Sequence, residues 1–213
     1  MVVPVLFVLG FTPVHGKSMA ALWLTMPETI TPCINTAERK AMIEASNMQP
    51  NHCINNALDG RSSIDTLTSD YLHATLSASA TVELRRLSNL DGDSVVCLVT
   101  TWGGEAGESQ VLFYTQSWQP LPTAHYMPDY TQKDSLHVFL DENKIMTNEK
   151  RDSLLALVDP VMFRASLNPS NDSVTLTLST PLLPSSDRKN IMPFLRQATL
   201  KWNGRQFKIG GKL

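Results

Sequence analysis

The residues able to do chemistry are scattered along the chain. A hydrolase needs a nucleophile, an orienting base and an oxyanion site, which a sequence advertises as a Gly-x-Ser-x-Gly elbow or a flanked catalytic cysteine. Neither pattern occurs in the 213 residues. His52 stands directly beside Cys53, and adjacent loop residues do not face each other as a catalytic dyad must. His73 falls on the polar side of an expected strand and His125 in a proline-rich connection, so both read as surface histidines. The one glycine-rich loop, Gly103-Gly104-Glu105-Ala106-Gly107, lacks the Lys-Ser or Lys-Thr ending of a phosphate loop and reads as a hairpin connection. Asp91-Gly92-Asp93 and Asp141-Glu142-Asn143 offer oxygens but not the ligand period and distal glutamate of a calcium loop. By pattern, then, no residue is assigned a catalytic, cofactor-binding or metal-ligating role.

The aromatic residues carry more information. Trp102 stands at the lip of the glycine loop, and Tyr126 and Tyr130 lie in the proline-rich connection, where strand alternation does not demand a large ring. These three are the candidate anchors for a protein or carbohydrate partner, and they are expected to be at least partly exposed around a common groove. The alternative is that they pack locally over a sheet. Trp118 and Trp202 are expected at matching strand ends, as core or hairpin-stabilising residues.

The charge balance excludes one class of partner. Lys plus Arg number 18 and Asp plus Glu 20, for a formal charge of -2, and no clustered cationic face is visible. Nucleic-acid binding normally requires one. Cys33, Cys53 and Cys97 are too few for a disulfide scaffold and too scattered for zinc. Either Cys33 pairs with Cys53 in an oxidising compartment or all three remain thiols. The apolar run from Val2 to Phe11 is too short to span a bilayer and fits a signal-peptide core, with Val14-His15-Gly16 offering a cleavage site before Lys17. No Lys or Arg precedes that run, which leaves an N-terminal buried strand as the alternative. An exported protein, periplasmic or cell-surface associated, is expected, and no later stretch has the length of a transmembrane span.

These residues must be positioned by regular elements. Met19 to Leu24 reads as a short helix, and Asn35-Thr36-Ala37-Glu38 has the spacing of a capping box that opens a second over 35–46, with Glu38, Arg39, Lys40 and Glu44 solvated. From Leu58 the period becomes strand-like, with strands around 72–76, 82–85, 94–101 and 111–114, and turns at Asp59-Gly60 and Asp91-Gly92. A proline-rich connection follows. Thr147 caps a helix to Val158, and strands over 162–167 and 173–179 precede a short helical piece around 187–194. Asn203-Gly204 then predicts a two-residue hairpin between Trp202 and Phe207.

The two halves resemble each other. Thr36-Ala37-Glu38-Arg39-Lys40 parallels Thr147-Asn148-Glu149-Lys150-Arg151, and at a constant offset of 79 Leu84-Arg85, Asn89 and Asp93-Ser94-Val95 fall on Phe163-Arg164, Asn168 and Asp172-Ser173-Val174. The expected architecture is α+β: two tandem units of helix plus antiparallel β-meander, with the sheet covered by helices. The division is a leader over 1–16, a first unit over 17–121, a connection over 122–146 and a second unit over 147–213.

Ala21-Leu22-Trp23-Leu24-Thr25-Met26-Pro27, Leu58-Asp59-Gly60, Asp65 through Leu72 and Phe113 through Leu121 together resemble an uncharacterised exported protein family of Bacteroidales-type bacteria. That resemblance implies export and a single-family architecture, and it carries no catalytic residue across. The helix-plus-meander repeat also resembles the tandem units of beta-lactamase-inhibitor proteins and small PepSY-like domains in architecture. The expectation is a non-enzymatic binding protein. The alternative is a secreted hydrolase whose site is assembled from distant residues.

Overall fold

The computed structural model describes residues 16–48, 52–57, 60–104, 107–145 and 147–210. The expected leader, apart from Gly16, therefore lies outside the described residues, as do Asp59 of the expected turn and Glu105 and Ala106 of the glycine loop.

The chain opens with α1 (Met19–Thr25), capped by the Ser18 hydroxyl, which accepts the Ala21 amide at 3.2 Å. Helix α2 (Thr36–Met48) begins with a complete capping box: Asn35 Oδ1 accepts the Glu38 amide at 2.9 Å, and Glu38 Oε2 accepts the Asn35 amide at 2.8 Å. Two of the orphan amides at a helix start are thereby satisfied reciprocally.

Seven strands then form one antiparallel meander in sequence order: β1 (Ile54–Asn55), β2 (Arg61–Leu67), β3 (Tyr71–Ser77), β4 (Ala80–Ser88), β5 (Ser94–Trp102), β6 (Glu108–Tyr114) and β7 (Pro120–Leu121). Helix α3 (Asn148–Ala156), capped by Thr147, leads into a second antiparallel sheet of β8 (Phe163–Leu167), β9 (Ser173–Leu178), β10 (Ala198–Trp202) and β11 (Phe207–Ile209), with α4 (Ser185–Ile191) between β9 and β10. The class is mixed α+β with antiparallel sheets.

Alternation along the strands sorts the core into two layers. Leu72, Val82, Leu84, Leu98 and Tyr114 point to one face of the first sheet and cluster with Leu22, Trp23 and Met42 of α1 and α2. Cys97, Val99, Val111 and Phe113 point to the other and cluster with Phe163, Leu176, Leu200 and Phe207 of the second sheet. Helices therefore cover one face of the first sheet, and a sheet covers the other. The outer face of the second sheet, bearing Thr175, Thr177, Thr199 and Lys201, is half-buried or exposed rather than helix-covered.

Three local expectations are corrected. Arg39 is not solvated: its guanidinium is fully buried and donates to the carbonyls of Trp23, Met26 and Ile34, tying the α1–α2 connection to α2. The β10–β11 connection is four residues, Asn203 to Gln206, because Asn203 Oδ1 accepts the amides of both Arg205 and Gln206 and so builds a wider turn. Trp118 and Trp202 are not equivalent, since Trp118 sits in a turn after β6 with φ of 64° while Trp202 ends β10. The connection over 122–146 contributes Met127, Tyr130, Leu136, Val138 and Phe139 to the core between the sheets.

Cys97 is buried in β5 as strand alternation predicts, and burial pushes its thiol well up. Cys33 is a half-buried thiol, also pushed up by burial.

Candidate functional site

Trp102 ends β5, paired with Ala80 of β4 on one side and Glu108 of β6 on the other, and its side chain is left 47% exposed. Two concavities meet at it. The larger, about 600 Å³, is floored by Val111, Met127, Tyr130 and Phe163 and rimmed by Glu108, Gln110, Thr123 and Asp129. The smaller, about 380 Å³, is lined by Ile30, Leu98, Leu112, Tyr114 and Trp118 with Thr29, Thr100 and Gln110. Val111 lines one and its neighbour Leu112 the other, so the two open on opposite faces of the first sheet. Between them runs the outer edge of β6. Strand β7 pairs only with Phe113 and Tyr114, leaving Glu108 to Leu112 without a strand partner on that side among the described residues.

The walls are held by defined contacts. The Asp129 carboxylate accepts the Thr131 amide and hydroxyl at 2.9 and 2.6 Å and the Gln132 amide group at 3.0 Å, which hold its pKa below the ordinary carboxylate range. The backbone of Trp118 occupies the left-handed region that a bulky residue rarely adopts. Its indole N–H reaches the Leu22 carbonyl at 3.2 Å and the Thr25 hydroxyl at 3.3 Å, and its ring stacks at a tilt on Tyr114 at 5.4 Å, which together secure the conformation.

The three aromatic residues singled out from sequence do not share one groove. Trp102 and Tyr130 line the same cavity, but Tyr130 is only 3% exposed and packs edge-on against Phe139, so it belongs to the floor. Tyr126 is half-buried and stacks between Phe113 and Trp202, beside a separate depression formed with Asn89, Leu90 and Gly204. Connections that look open in sequence can still be folded back over a sheet, and the core demand of the second sheet draws these two rings inward.

A second cluster lies on the first sheet, on the face that meets β8. A β-bulge shifts the β2–β3 register between Ile64 and Thr66 and makes Asp65 the extra residue. Asp65 Oδ2 meets His73 Nδ1 at 2.8 Å and accepts the Thr75 hydroxyl at 2.7 Å, and Oδ1 accepts the Ser63 hydroxyl at 2.6 Å. Directly across from His73, buried Glu83 accepts the Tyr71 hydroxyl at 3.0 Å and the Leu167 amide at 2.8 Å. A bulge often re-aims a side chain beside a functional site. Here, however, both hydroxyls donate to Asp65 and neither is held by His73, so the cluster orients an imidazole without activating a nucleophile.

A family model for a protein of unknown function, DUF3256, matches residues 11–207. The chain belongs to the DUF3256 family. Among solved structures it is similar to a domain of an uncharacterised protein from Porphyromonas gingivalis W83, with a TM-score of 0.73, 20% identity, and coverage of 93% of this chain and 100% of that one. No curated protein matches the chain. The likeness to that domain shows the fold, and the match bears out the resemblance to an uncharacterised family while lending no support to the PepSY-like analogy.

Since the DUF3256 family brings no assigned activity, the site rests on this chain's residues. Sequence reasoning missed the Asp65–His73 pair because a bulge leaves no mark in a stretch such as Arg61-Ser62-Ser63-Ile64-Asp65. It also missed the open edge of β6. The one available signal was Pro120, which lacks an N–H and confines the neighbouring strand to two residues. Among the described residues, no group of three or more His, Cys, Asp or Glu could hold a metal ion, and no helix is long and apolar enough to cross a membrane.

Proposed function

We propose that this chain is a non-enzymatic, exported binding protein, periplasmic or at the cell surface, whose protein or carbohydrate ligand is held at Trp102. The observation that carries the reading is the exposed indole standing as a shared wall of two concavities. Exposed rings beside preformed clefts supply much of the contact energy in recognition sites. Support for export is the apolar run ahead of Lys17. Support for two related units over 17–121 and 147–213 is that each places a capped helix before an antiparallel meander.

The test is retention from native envelope extract by the full chain and by Trp102→Ala, with thermal melts run beside it and the retained material identified chemically. Loss of a defined component with an unchanged melt supports the reading. Equal retention by both proteins refutes it. N-terminal sequencing of protein from its native host tests export, where a start at Lys17 is expected and an intact Met1 on cytoplasmic material would reject it.

The hydrolase reading has one observation in its favour, the Asp65–His73 pair, whose carboxylate meets the imidazole at Nδ1 and so fixes its orientation. Turnover of activated esters that vanishes in His73→Ala would favour it over binding.

A further inference from the structure

We infer that the ligand is an extended polypeptide segment that adds to the unpaired edge of β6 as a further strand, with alternate side chains entering the two cavities. This rests on Trp102 marking the binding site.

A sheet edge presents a row of unpaired N–H and C=O groups, and proteins blunt such edges by shortening, charging or covering them. Strand β6 is seven residues long, yet only Phe113 and Tyr114 are paired by β7. Among the described residues Glu108 to Leu112 have no strand partner in line with β7, and four consecutive residues of that stretch, Glu108 to Val111, line the larger cavity. A cavity lined by consecutive strand residues is lined by backbone as well as by side chains.

The placement of the cavities matches a strand and not a ring. Successive side chains of an extended peptide point to opposite faces with a period of two. The two cavities lie on opposite faces of the sheet, flank the same edge, and share Trp102 and Gln110. In strand addition, main-chain hydrogen bonds give affinity and pockets for alternate side chains give specificity. A saccharide would use the indole and the polar rim, but it would leave the backbone edge unpaired.

Charge defines the peptide further. Glu108 and Asp129 are among the residues that line the larger cavity, and among the described residues no Lys, Arg or His lines either cavity. A side chain with an apolar stem and a cationic end, lysine or arginine, complements its apolar floor and acidic rim. Among the described residues the smaller cavity has no charged lining residue, and it includes Leu112, Tyr114 and Trp118, so it takes an apolar side chain.

The probe is a phage-displayed library of random short peptides selected on the full chain, followed by synthesis of an enriched peptide and fluorescence-anisotropy titration. Enriched peptides are expected to carry a basic and an apolar residue on alternating positions. N-methylation of single peptide amides should weaken binding about tenfold at every second position and little between, since each lost edge hydrogen bond leaves a backbone group unpaired. Trp102→Ala should weaken the same peptide by about tenfold or more, and Glu108→Gln should weaken basic peptides selectively. N-methyl effects without a period of two would overturn strand addition. Failure to enrich any peptide whose binding depends on Trp102 would overturn it too. A panel of neutral oligosaccharides on the same protein separates the two levels: Trp102-dependent saccharide binding leaves the binding reading standing and removes the peptide. If neither class of ligand responds to Trp102→Ala, both fall.

Discussion

Glu83 of β4 accepts the backbone amide of Leu167 in β8 at 2.8 Å, so a side chain of the first sheet caps the open backbone edge of the second. Ser109 does the same for Ala165 at 2.9 Å. Strand β8 is the edge of its sheet, and two of its outward amides would otherwise be buried without partners. Glu83→Ala removes the acceptor for both Leu167 and the Tyr71 hydroxyl and is expected to cost about 2–4 kcal/mol in urea denaturation. A loss below about 0.5 kcal/mol would show that water replaces the carboxylate at no penalty.

The same residue sets a pH dependence. Burial pushes the Glu83 carboxyl above its ordinary value, against the lowering effect of the Leu167 amide and the Tyr71 hydroxyl. Between the ordinary carboxyl value and the raised one, the folded protein holds a proton that the unfolded chain has released. Stability contributed by this group is therefore greatest on the acid side of that window and falls as pH rises through it. Asp70 and Asp129 act in the opposite sense, because hydrogen bonds, joined at Asp70 by the Arg86 ion pair, hold them below the ordinary range. The difference between wild type and Glu83→Gln isolates Glu83. The wild-type protein should lose stability relative to the variant as pH rises from about 4.5 to neutrality, and a flat difference curve would contradict the raised value.

Arg85 forms the second tie between the sheets. Its Nε and Nη2 meet Asp172 Oδ1 at 2.9 and 2.8 Å, and Nη1 donates to the carbonyls of Asn168 and Pro169 at 3.2 and 3.1 Å. Arg85→Ala should cost about 3 kcal/mol, since it leaves several acceptors without their donor at a largely buried junction. Asp172→Asn should cost about 1 kcal/mol, because the two carbonyls still hold the guanidinium. Arg85→Lys is expected to fall near the alanine variant, as an ammonium cannot reproduce the planar fork.

Arg39 shows where sequence reading stops. The capping box at Asn35 and Glu38, the Thr147 cap and the strand alternation from Tyr71 to Tyr114 were all legible, because each depends on neighbours within a few residues. Arg39 stands in the same helix between half-buried Glu38 and exposed Lys40, and nothing local distinguishes it. Its burial is set by the loop from Trp23 to Ile34, whose carbonyls converge on the guanidinium, and by the Trp23 ring 5.9 Å away. The Asp65–His73 pair and the open edge of β6 were hidden for the same reason, since a bulge and a truncated partner strand are decided across the sheet. Arg39→Met should cost about 3 kcal/mol and loosen the 26–34 connection, detectable as faster amide exchange there.

The aromatic residues separate recognition from packing, and truncating them one at a time decides which role each plays. Tyr130 is buried among Phe139 and the floor of the larger cavity, so Tyr130→Ala removes packed core and should cost about 3–5 kcal/mol. Tyr126 stacks between Phe113 and Trp202 at 4.9 and 6.1 Å but is only half-buried, so its truncation should fall between that figure and nothing. Trp102 differs from both. With 47% of its surface exposed and the sheet pairing on either side made by backbone, Trp102→Ala should change stability by under about 1 kcal/mol while weakening ligand capture by about 2 kcal/mol. The reverse outcome is equally readable. A Trp102→Ala protein that unfolds several degrees earlier and still captures ligand would make the indole a structural lid on the β5–β6 end, and the binding site would have to be sought elsewhere on the molecule.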